Sequence, residues 1–150
     1  MNTDQWVNSG EALLEQRNYL EAELAFNRAS SLDPSNSEVW YKLGNTRFWQ
    51  GKYGAAELAY LECVRFDPMN LKAWYNLGCS LDDQEKWIDA EEAYRTALNL
   101  IPEEVEAWHA EIWSNLGISL IEQGRFDEAE EAAQQGIYID ESLLEVWHNL

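Results

Sequence analysis

The chain is poor in the residues and segments that mark several other classes of protein. Its 150 residues include only three prolines and two cysteines, and 46% are hydrophobic, so a disordered chain is excluded. No apolar run is long enough to cross a bilayer. The first residues lack the basic stretch and apolar segment of a signal peptide. We therefore expect a cytoplasmic protein in which Cys63 and Cys79 are reduced thiols.

Basic residues are also scarce. Ten Lys and Arg stand against 28 Asp and Glu, which gives a net charge of −18. This balance disfavours nucleic acids and anionic membranes as partners. The acidic excess is greatest in the second half of the chain. It is consistent with acidic outer faces that keep the protein soluble, or with the attraction of a partner that has basic character.

Groups that commonly perform catalysis are few. The two histidines, His109 and His148, are 39 residues apart, and His109 is predicted to lie at the surface beside Glu106 and Glu111. The sequence contains no Cys-x-x-Cys pair and no glycine-rich phosphate loop. We therefore predict that the protein is not an enzyme and has no metal or cofactor.

A repeat of 34 residues dominates what is present. Trp6, Trp40 and Trp74 are evenly spaced at that interval. Each is followed at fixed distances by an alanine, an aromatic residue, a small residue and a proline. These four positions hold Ala22, Phe26, Ala29 and Pro34, then Ala56, Tyr60, Cys63 and Pro68, then Ala90, Tyr94, Ala97 and Pro102. A fixed period of this length indicates one elongated array of stacked units.

Each repeat has the pattern of two helices. Trp74, Leu77 and Leu81 lie on one helical face, and a polar turn separates them from a second periodic segment. Gly51 and Gly124 occupy this turn in other repeats and suit a positive φ at a helix end. Small residues predict a close approach of the two helices. Gly44, Gly78 and Gly117 of the first helices are expected to meet Ala56, Ala90 and Ala129 of the second helices.

These letters resemble the tetratricopeptide repeat, a helix–turn–helix motif with the signature Trp, Leu-Gly, Tyr, Ala, Phe, Ala, Pro. The resemblance covers nearly the whole chain, 1–150, as a single array. The repeats are 3–36, 37–70, 71–104 and 110–143, with a partial fifth repeat at 144–150. Residues 105–109 are an inserted turn, predicted to lengthen the first helix of the fourth repeat. That repeat is eroded, with Ala133, Gly136 and Glu141 at signature positions. Because the fifth repeat, begun at Trp147, is incomplete, we expect a fragment of a longer protein.

The resemblance implies an all-α, right-handed α-solenoid of stacked antiparallel helix pairs, a tetratricopeptide-like superhelix. Its first helices would line a concave groove that binds a peptide or helix of a protein partner. The positions that face this groove, mainly in the second and third repeats, hold the candidate binding residues. They are Tyr41, Lys42, Asn45, Phe48, Trp49, Lys72, Tyr75, Asn76, Cys79, Asn115 and Ile118.

Each feature of this set also has a simpler interpretation. An asparagine row that includes Asn76 and Asn115 can pair with a peptide backbone, but asparagine is common at this position of the family. The aromatic cluster of Tyr41, Phe48, Trp49 and Tyr75 suits a side-chain pocket, but Phe48 and Trp49 would equally seal the junction between repeats. Lys42 and Lys72 would bind a ligand carboxylate or neutralise nearby acids.

Three hypotheses for function remain open from the sequence. The first is a non-catalytic protein-interaction module that binds its partner in the groove. The second is a scaffold that self-associates through the exposed ends of the array. The third is an interaction domain of a larger enzyme or regulator. The sequence leaves the partner, pathway and organism unidentified.

Overall fold

A computed structural model describes residues 1–149 of the protein, apart from the side chain of Val146. The described residues form helices and no strand. Eight helices make four consecutive pairs, and a short ninth helix follows. Their bounds are α1 Thr3–Glu15, α2 Tyr19–Leu32, α3 Ser37–Trp49, α4 Tyr53–Phe66, α5 Leu71–Asp82, α6 Trp87–Asn99, α7 His109–Glu122, α8 Phe126–Ile139 and α9 Leu143–His148. The predicted all-α fold is confirmed.

The first helices of the first three pairs begin at asparagines that are themselves 34 residues apart. The side chains of Asn2, Asn36 and Asn70 accept hydrogen bonds from backbone N–H groups at 2.9, 3.3 and 3.0 Å. An asparagine oxygen satisfies one of the N–H groups that a helix start leaves without a partner. The repeat therefore specifies where each first helix begins as well as which face it buries.

The segment before the fourth pair differs from its prediction. Residues 101–108 are irregular, and α7 begins at His109, so the prediction of a helix lengthened by 105–109 is wrong. His109 is buried, with 2% of its surface exposed, and its Nδ1 accepts a hydrogen bond from the backbone N of Glu106 at 2.9 Å. The prediction of a surface histidine is therefore also wrong. Trp108 packs on His109 and Tyr75 with ring centroids 4.3 and 6.2 Å away, and this stacking takes the place of the extra helical turn.

Glycines in the first helices make room for aromatic rings. A Cβ atom placed on Gly44 would lie 2.6 Å from the ring of Tyr60, and Gly10 faces Phe26 in the same way at 2.7 Å. The rings supply the atoms nearest these two glycines, and one expected alanine contact is present, because the backbone oxygen of Ala129 lies 3.4 Å from a Cβ placed on Gly117. The ring of the second helix thus fills the space above the glycine of the first helix.

The fourth pair fills the same space from elsewhere. Its second helix carries Ala133 where the other pairs carry Phe26, Tyr60 or Tyr94. The indole of Trp147, from α9, contacts Gly117 in place of the missing ring. The eroded fourth repeat is therefore completed by the helix that follows it.

The first helices lie along the inner side of the array. α3 contacts α5 and α5 contacts α7, while each second helix packs against the first helix of the next pair. The largest core cluster is continuous from Ala56 and Tyr60 in α4 to Ala129 and Ala132 in α8. Among the described residues, no helix has both the length and the apolar character needed to span a bilayer. The predicted groove residues are expected on this inner side.

Candidate functional site

Two clusters of hydrogen bonds join neighbouring pairs on the inner side. In the first cluster, Asn76 donates its amide to Asn45 Oδ1 at 3.1 Å and to the Tyr41 hydroxyl at 3.3 Å. The hydroxyl of Tyr60 donates to the same Asn45 oxygen at 2.6 Å. Asn45 and Asn76 are on consecutive first helices, so this cluster fixes the relative position of α3 and α5.

The second cluster repeats this arrangement between α5 and α7. The amide of Asn115 donates to the Tyr75 hydroxyl at 3.2 Å and to Cys79 Sγ at 3.6 Å. The hydroxyl of Tyr75 donates to Glu111 at 3.3 Å. We call Tyr41, Asn45, Asn76, Tyr75, Cys79 and Asn115 together the Asn–Tyr row.

Some hydrogen-bonding groups of the Asn–Tyr row have no partner in the described part of the chain. In the described part of the chain, Oδ1 of Asn76 and Oδ1 of Asn115 accept no hydrogen bond, and Nδ2 of Asn45 donates none. An asparagine has two donors and an acceptor. Two acceptors and one donor group along the row are therefore open to an extended backbone.

Burial favours the protonated forms of Tyr75 and Cys79 in the row and of Tyr60 beside it. It raises the pKa of the Tyr60 and Tyr75 hydroxyls well above the ordinary value for tyrosine. Burial also raises the pKa of the Cys79 thiol, which disfavours the thiolate that a nucleophile needs. The row is therefore suited to hydrogen bonding.

An unusual carboxyl group lies at the end of α5. Asp82 accepts a hydrogen bond of 2.6 Å from Tyr94, while its Oδ1 is buried without a partner among the described residues. Burial raises the pKa of Asp82 to about 6, although the Tyr94 hydrogen bond acts against this. Near neutral pH this group adds negative charge beside the row.

The two candidate lysines have partners in the chain. Lys42 Nζ lies 2.6 Å from Glu11 and 3.4 Å from Glu38. Burial acts to lower the pKa of Lys42, but the two carboxylates outweigh it and the pKa is raised. Lys72 Nζ is 5.8 Å from the centre of the Trp108 ring, within cation–π range. Lys42 is therefore neutralised within the chain, while Lys72 is exposed and has no carboxylate within ion-pair distance among the described residues.

The predicted aromatic cluster is divided between different places. Phe48 packs edge-on against Tyr53 of α4, with centroids 5.2 Å apart. Trp49 is 55% exposed and packs on Tyr19 of the first pair at 6.1 Å, across the junction between pairs. Ile118 is half-buried on α7. Tyr41 and Tyr75 take part in the hydrogen bonds of the row, and Phe48 packs against the same core cluster as these two residues. Trp49 lies at the junction with the first pair.

Two functional groups were missing from the sequence-based set. The hydroxyls of Tyr60 and Tyr94 reach from second helices to Asn45 and Asp82 at the inner side. The available signal was the tyrosine itself, because a buried hydroxyl needs a partner whereas the phenylalanine at position 26 does not.

The site offers hydrogen bonds and negative charge. Among the described residues, no group of three or more His, Cys, Asp or Glu side chains is arranged to hold a metal ion. The amides and hydroxyls of the row lie beside the carboxylates of Glu111 and Asp82, while Glu11 and Glu38 are paired with Lys42.

Known protein families provide the decisive comparison. One tetratricopeptide-repeat family model matches residues 7–70, and a second matches residues 70–142. The chain belongs to the tetratricopeptide-repeat family. A comparison with curated proteins found no match to this tetratricopeptide-repeat protein.

Solved structures support the tetratricopeptide-repeat fold. A crystal structure of MamA protein is 20% identical, has a TM-score of 0.84, and the match covers 96% of this chain and 76% of that one. A second MamA crystal structure is 19% identical with a TM-score of 0.85, covering 96% and 81%. MamA 41-end from Desulfovibrio magneticus RS-1 is 23% identical with a TM-score of 0.83, covering 94% and 77%. At these identities the likeness concerns the fold alone.

Proposed function

We propose that the protein is a non-catalytic interaction module that binds an extended segment of a protein partner along the Asn–Tyr row. The free oxygens of Asn76 and Asn115 would accept from backbone N–H groups of the ligand, and Asn45 would donate to a carbonyl. The hydrogen bonds that the amides of Asn76 and Asn115 donate to the Tyr41 and Tyr75 hydroxyls hold the two amides in place, which limits the entropy lost on binding. This fixed orientation is the observation that carries the proposal.

The proposed ligand has basic character. Lys42 is already paired with Glu11 and Glu38, so this base is neutralised from within the chain. Glu111 and Asp82 add negative charge next to the second cluster. Long-range attraction from a chain of net charge −18 would favour a basic segment and would weaken as salt screens it.

Selection from a random peptide library tests both parts of this proposal. We expect the selected peptides to be rich in Lys and Arg. They should bind Asn76→Ala or Asn115→Ala about tenfold more weakly than the wild type, because each variant loses an uncharged amide that hydrogen-bonds the ligand. Fluorescence anisotropy at two salt concentrations measures the affinity and its electrostatic part.

Asn99→Ala is the matched control. Asn99 is exposed at the end of α6, away from the row, and should leave the affinity unchanged. Thermal unfolding of each variant checks that the fold is retained. Acidic selected peptides, or equal affinity for wild type and Asn76→Ala, would overturn the proposal.

Self-association is the second candidate function. An apolar cavity of about 540 Å³ at the last pair favours it. The first pair opposes head-to-tail stacking, because Gln5 and Ser9 stand where Val39 and Leu43 are buried one period later. Light scattering over a concentration range distinguishes the candidates, since a monomer at high concentration excludes stacking. The role of an interaction domain in a larger enzyme or regulator, without a cofactor of its own, and a cytoplasmic location both remain predictions.

A further inference from the structure

The contacts between consecutive helix pairs, called seams, share one arrangement of charge. At each seam a glutamate of the second helix is held by a glutamine and a basic residue from the turn of the next pair. The same carboxylate oxygen, Oε2, accepts both hydrogen bonds at every seam. The contacts are Glu23 with Gln50 at 2.9 Å and Lys52 at 2.7 Å, Glu57 with Gln84 at 2.8 Å and Lys86 at 2.8 Å, and Glu91 with Gln123 at 3.1 Å and Arg125 at 2.5 Å.

The other carboxylate oxygen, Oε1, binds an arginine at two of the three seams. At the first seam, Arg47 Nε donates to Glu23 Oε1 at 3.0 Å. At the last seam, Arg95 Nε donates to Glu91 Oε1 at 2.9 Å. At the middle seam, between the second and third pairs, Glu57 Oε1 accepts no hydrogen bond among the described residues, although this side chain is only 18% exposed. The middle seam therefore has the glutamate of the other seams without the arginine.

The two arginines reach this place from different positions of the repeat. Arg47 belongs to a first helix, and its guanidinium also donates to the backbone oxygen of Ala55 at 3.1 Å. Arg95 belongs to a second helix, and its guanidinium lies 3.6 Å from the carboxylate of Glu128 in the next pair. Ala55 and Glu128 occupy equivalent positions in their repeats. A guanidinium at this place thus joins two consecutive second helices.

Leucines stand at both arginine positions of the middle seam. Leu81 is equivalent to Arg47, and Leu61 is equivalent to Arg95. The following second helix provides Asp89, which is exposed and has no basic side chain within ion-pair distance among the described residues. The middle seam therefore has two carboxylates and no guanidinium between them.

A cavity lies where the other seams hold the guanidinium. Its volume of about 280 Å³ is below the roughly 300–1,000 Å³ of pockets for drug-sized ligands and suits a single side chain. The lining includes the counterparts of Arg47 and of the three residues that its guanidinium contacts. It combines apolar side chains with carboxylates and includes Leu61, Trp74, Leu77, Leu81, Glu57 and Asp89. An arginine has a matching apolar stem and charged end.

We infer that the middle seam binds an arginine side chain of a partner protein, with apolar residues beside that arginine. Its Nε–H would donate to Glu57 Oε1, as the arginines of the other two seams do to their glutamates. Its terminal N–H groups would donate to Asp89 in charge-assisted hydrogen bonds. Leu58 and Ile88, next to these carboxylates in the sequence, are 64 and 72% exposed and would contact the apolar neighbours.

The position and charge of the site define its occupant further. The cavity is lined from α4, α5 and α6 and includes no residue of the Asn–Tyr row, so the two sites are separate. A second copy of the chain is disfavoured as the source of the arginine, because each copy has a net charge of −18. A different protein with an exposed arginine complements the two carboxylates.

A short peptide tests the inference on the intact protein. The probe is acetyl-Leu-Arg-Leu-amide, and two matched peptides contain lysine or citrulline in place of arginine. We expect the arginine peptide to cause saturable shifts in the amide NMR signals of residues 57–61 and 88–93. The citrulline peptide, which lacks the charge, should bind about tenfold more weakly. The lysine peptide should also bind more weakly, because an ammonium lacks the planar fork of donors.

Leu61→Arg is the decisive variant. It places an arginine at the position that Arg95 has in the next repeat, so the chain itself should occupy the site. Leu61 is 42% exposed, which leaves room for the longer side chain. We expect the affinity for the arginine peptide to fall about tenfold or more, while the urea midpoint of unfolding is unchanged or raised. Asp89→Asn should also weaken binding about tenfold, because a charge-assisted contact is lost.

Matched variants separate this site from others. Asp127 is an exposed acid in the first turn of α8, as Asp89 is in α6, and it does not line the cavity. Asp127→Asn, and Asn76→Ala in the Asn–Tyr row, should therefore bind the peptide like the wild type. Equal binding of the arginine peptide and either replacement, wild-type affinity of Leu61→Arg, or a clear loss in Asn76→Ala would overturn the inference. A wild-type dimer that Leu61→Arg disrupts would overturn the assignment to a different protein. Failure of the Asn–Tyr row to bind library peptides would leave these results unaffected.

Discussion

At the scale of single residues, one turn position requires a left-handed backbone in every pair. Gly51 and Gly124 have φ values of 73° and 74°, which confirms the turn predicted for them. Arg17 and Glu85 hold the same position with φ of 56° and 61°. A side chain in this region costs about 1 kcal/mol, whereas glycine adopts it freely. Glu85→Gly should therefore raise the free energy of unfolding by up to about 1 kcal/mol, measured in urea.

Gly51→Ala is the opposite change at the equivalent turn. Because nothing lies within 4 Å of an added Cβ there, only the backbone conformation is tested. We expect a loss of about 1 kcal/mol. A Glu85→Gly variant less stable than the wild type would contradict the argument that this turn is strained.

At the scale of elements, two glycines in helices should respond in opposite directions to the same substitution. A Cβ on Gly44 would lie 2.6 Å from the buried ring of Tyr60, while Gly54 in α4 has only the end of Gln84 nearby at 3.4 Å. Alanine usually stabilises a helix relative to glycine by about 0.5–1 kcal/mol. Gly54→Ala should show that gain in urea unfolding, while Gly44→Ala should lose about 1–3 kcal/mol through overpacking.

The stability of a Gly44→Ala, Tyr60→Phe double variant distinguishes steric overlap from loss of the hydroxyl contact to Asn45. Phenylalanine keeps the ring, so the clash with Ala at position 44 should remain. The double variant should therefore show both the stability lost through the clash and the stability lost with the hydroxyl. If Gly44→Ala proves as stable as Gly54→Ala, the close helix approach is not limited by the ring.

At the scale of the whole molecule, three glutamates at the contacts between helix pairs, called the seam glutamates, link stability to pH. Burial acts to raise the pKa values of Glu23, Glu57 and Glu91, but hydrogen bonds from the basic and amide side chains outweigh it, so the folded pKa values are lowered. Their contribution is present above the ordinary pKa of 4.5 and is lost as the pH falls through the lower folded values. Changing all three to glutamine should lower the free energy of unfolding by about 1 kcal/mol per glutamate at pH 7. It should also make the free energy of unfolding depend less on pH in the acid range.

The matched control replaces the exposed acids Glu21, Glu92 and Glu131 with glutamine, which removes the same formal charge. In urea unfolding between pH 3 and 7, the free energy of unfolding of this control should change with pH as steeply as that of the wild type. If the seam variant keeps that steepness instead, the lowered pKa values do not contribute to folding.

Comparison of individual residues shows how far the sequence alone was informative. The 34-residue period predicted the helix pairs and the turns at Gly51 and Gly124, because the spacing of buried positions is a local property of a helix. It misjudged His109, whose burial depends on the stacking of Trp108 in an irregular segment. It also grouped Trp49 with Tyr41, whereas Trp49 packs on Tyr19 of the first pair and Tyr41 on Tyr60 of α4.

The sequence by itself determined that this protein is an array of helix pairs, since a repeated apolar face is stable only when neighbouring units stack. Tertiary structure alone decided which polar atoms meet. Asn76 finds Asn45 at a separation of 31 residues, and Asn115 finds Tyr75 at 40. Such contacts depend on the rotation between pairs and on side-chain rotamers, which no local pattern records. The same holds for Trp147, which fills the space left by Ala133 only because α9 folds back against α7 and α8.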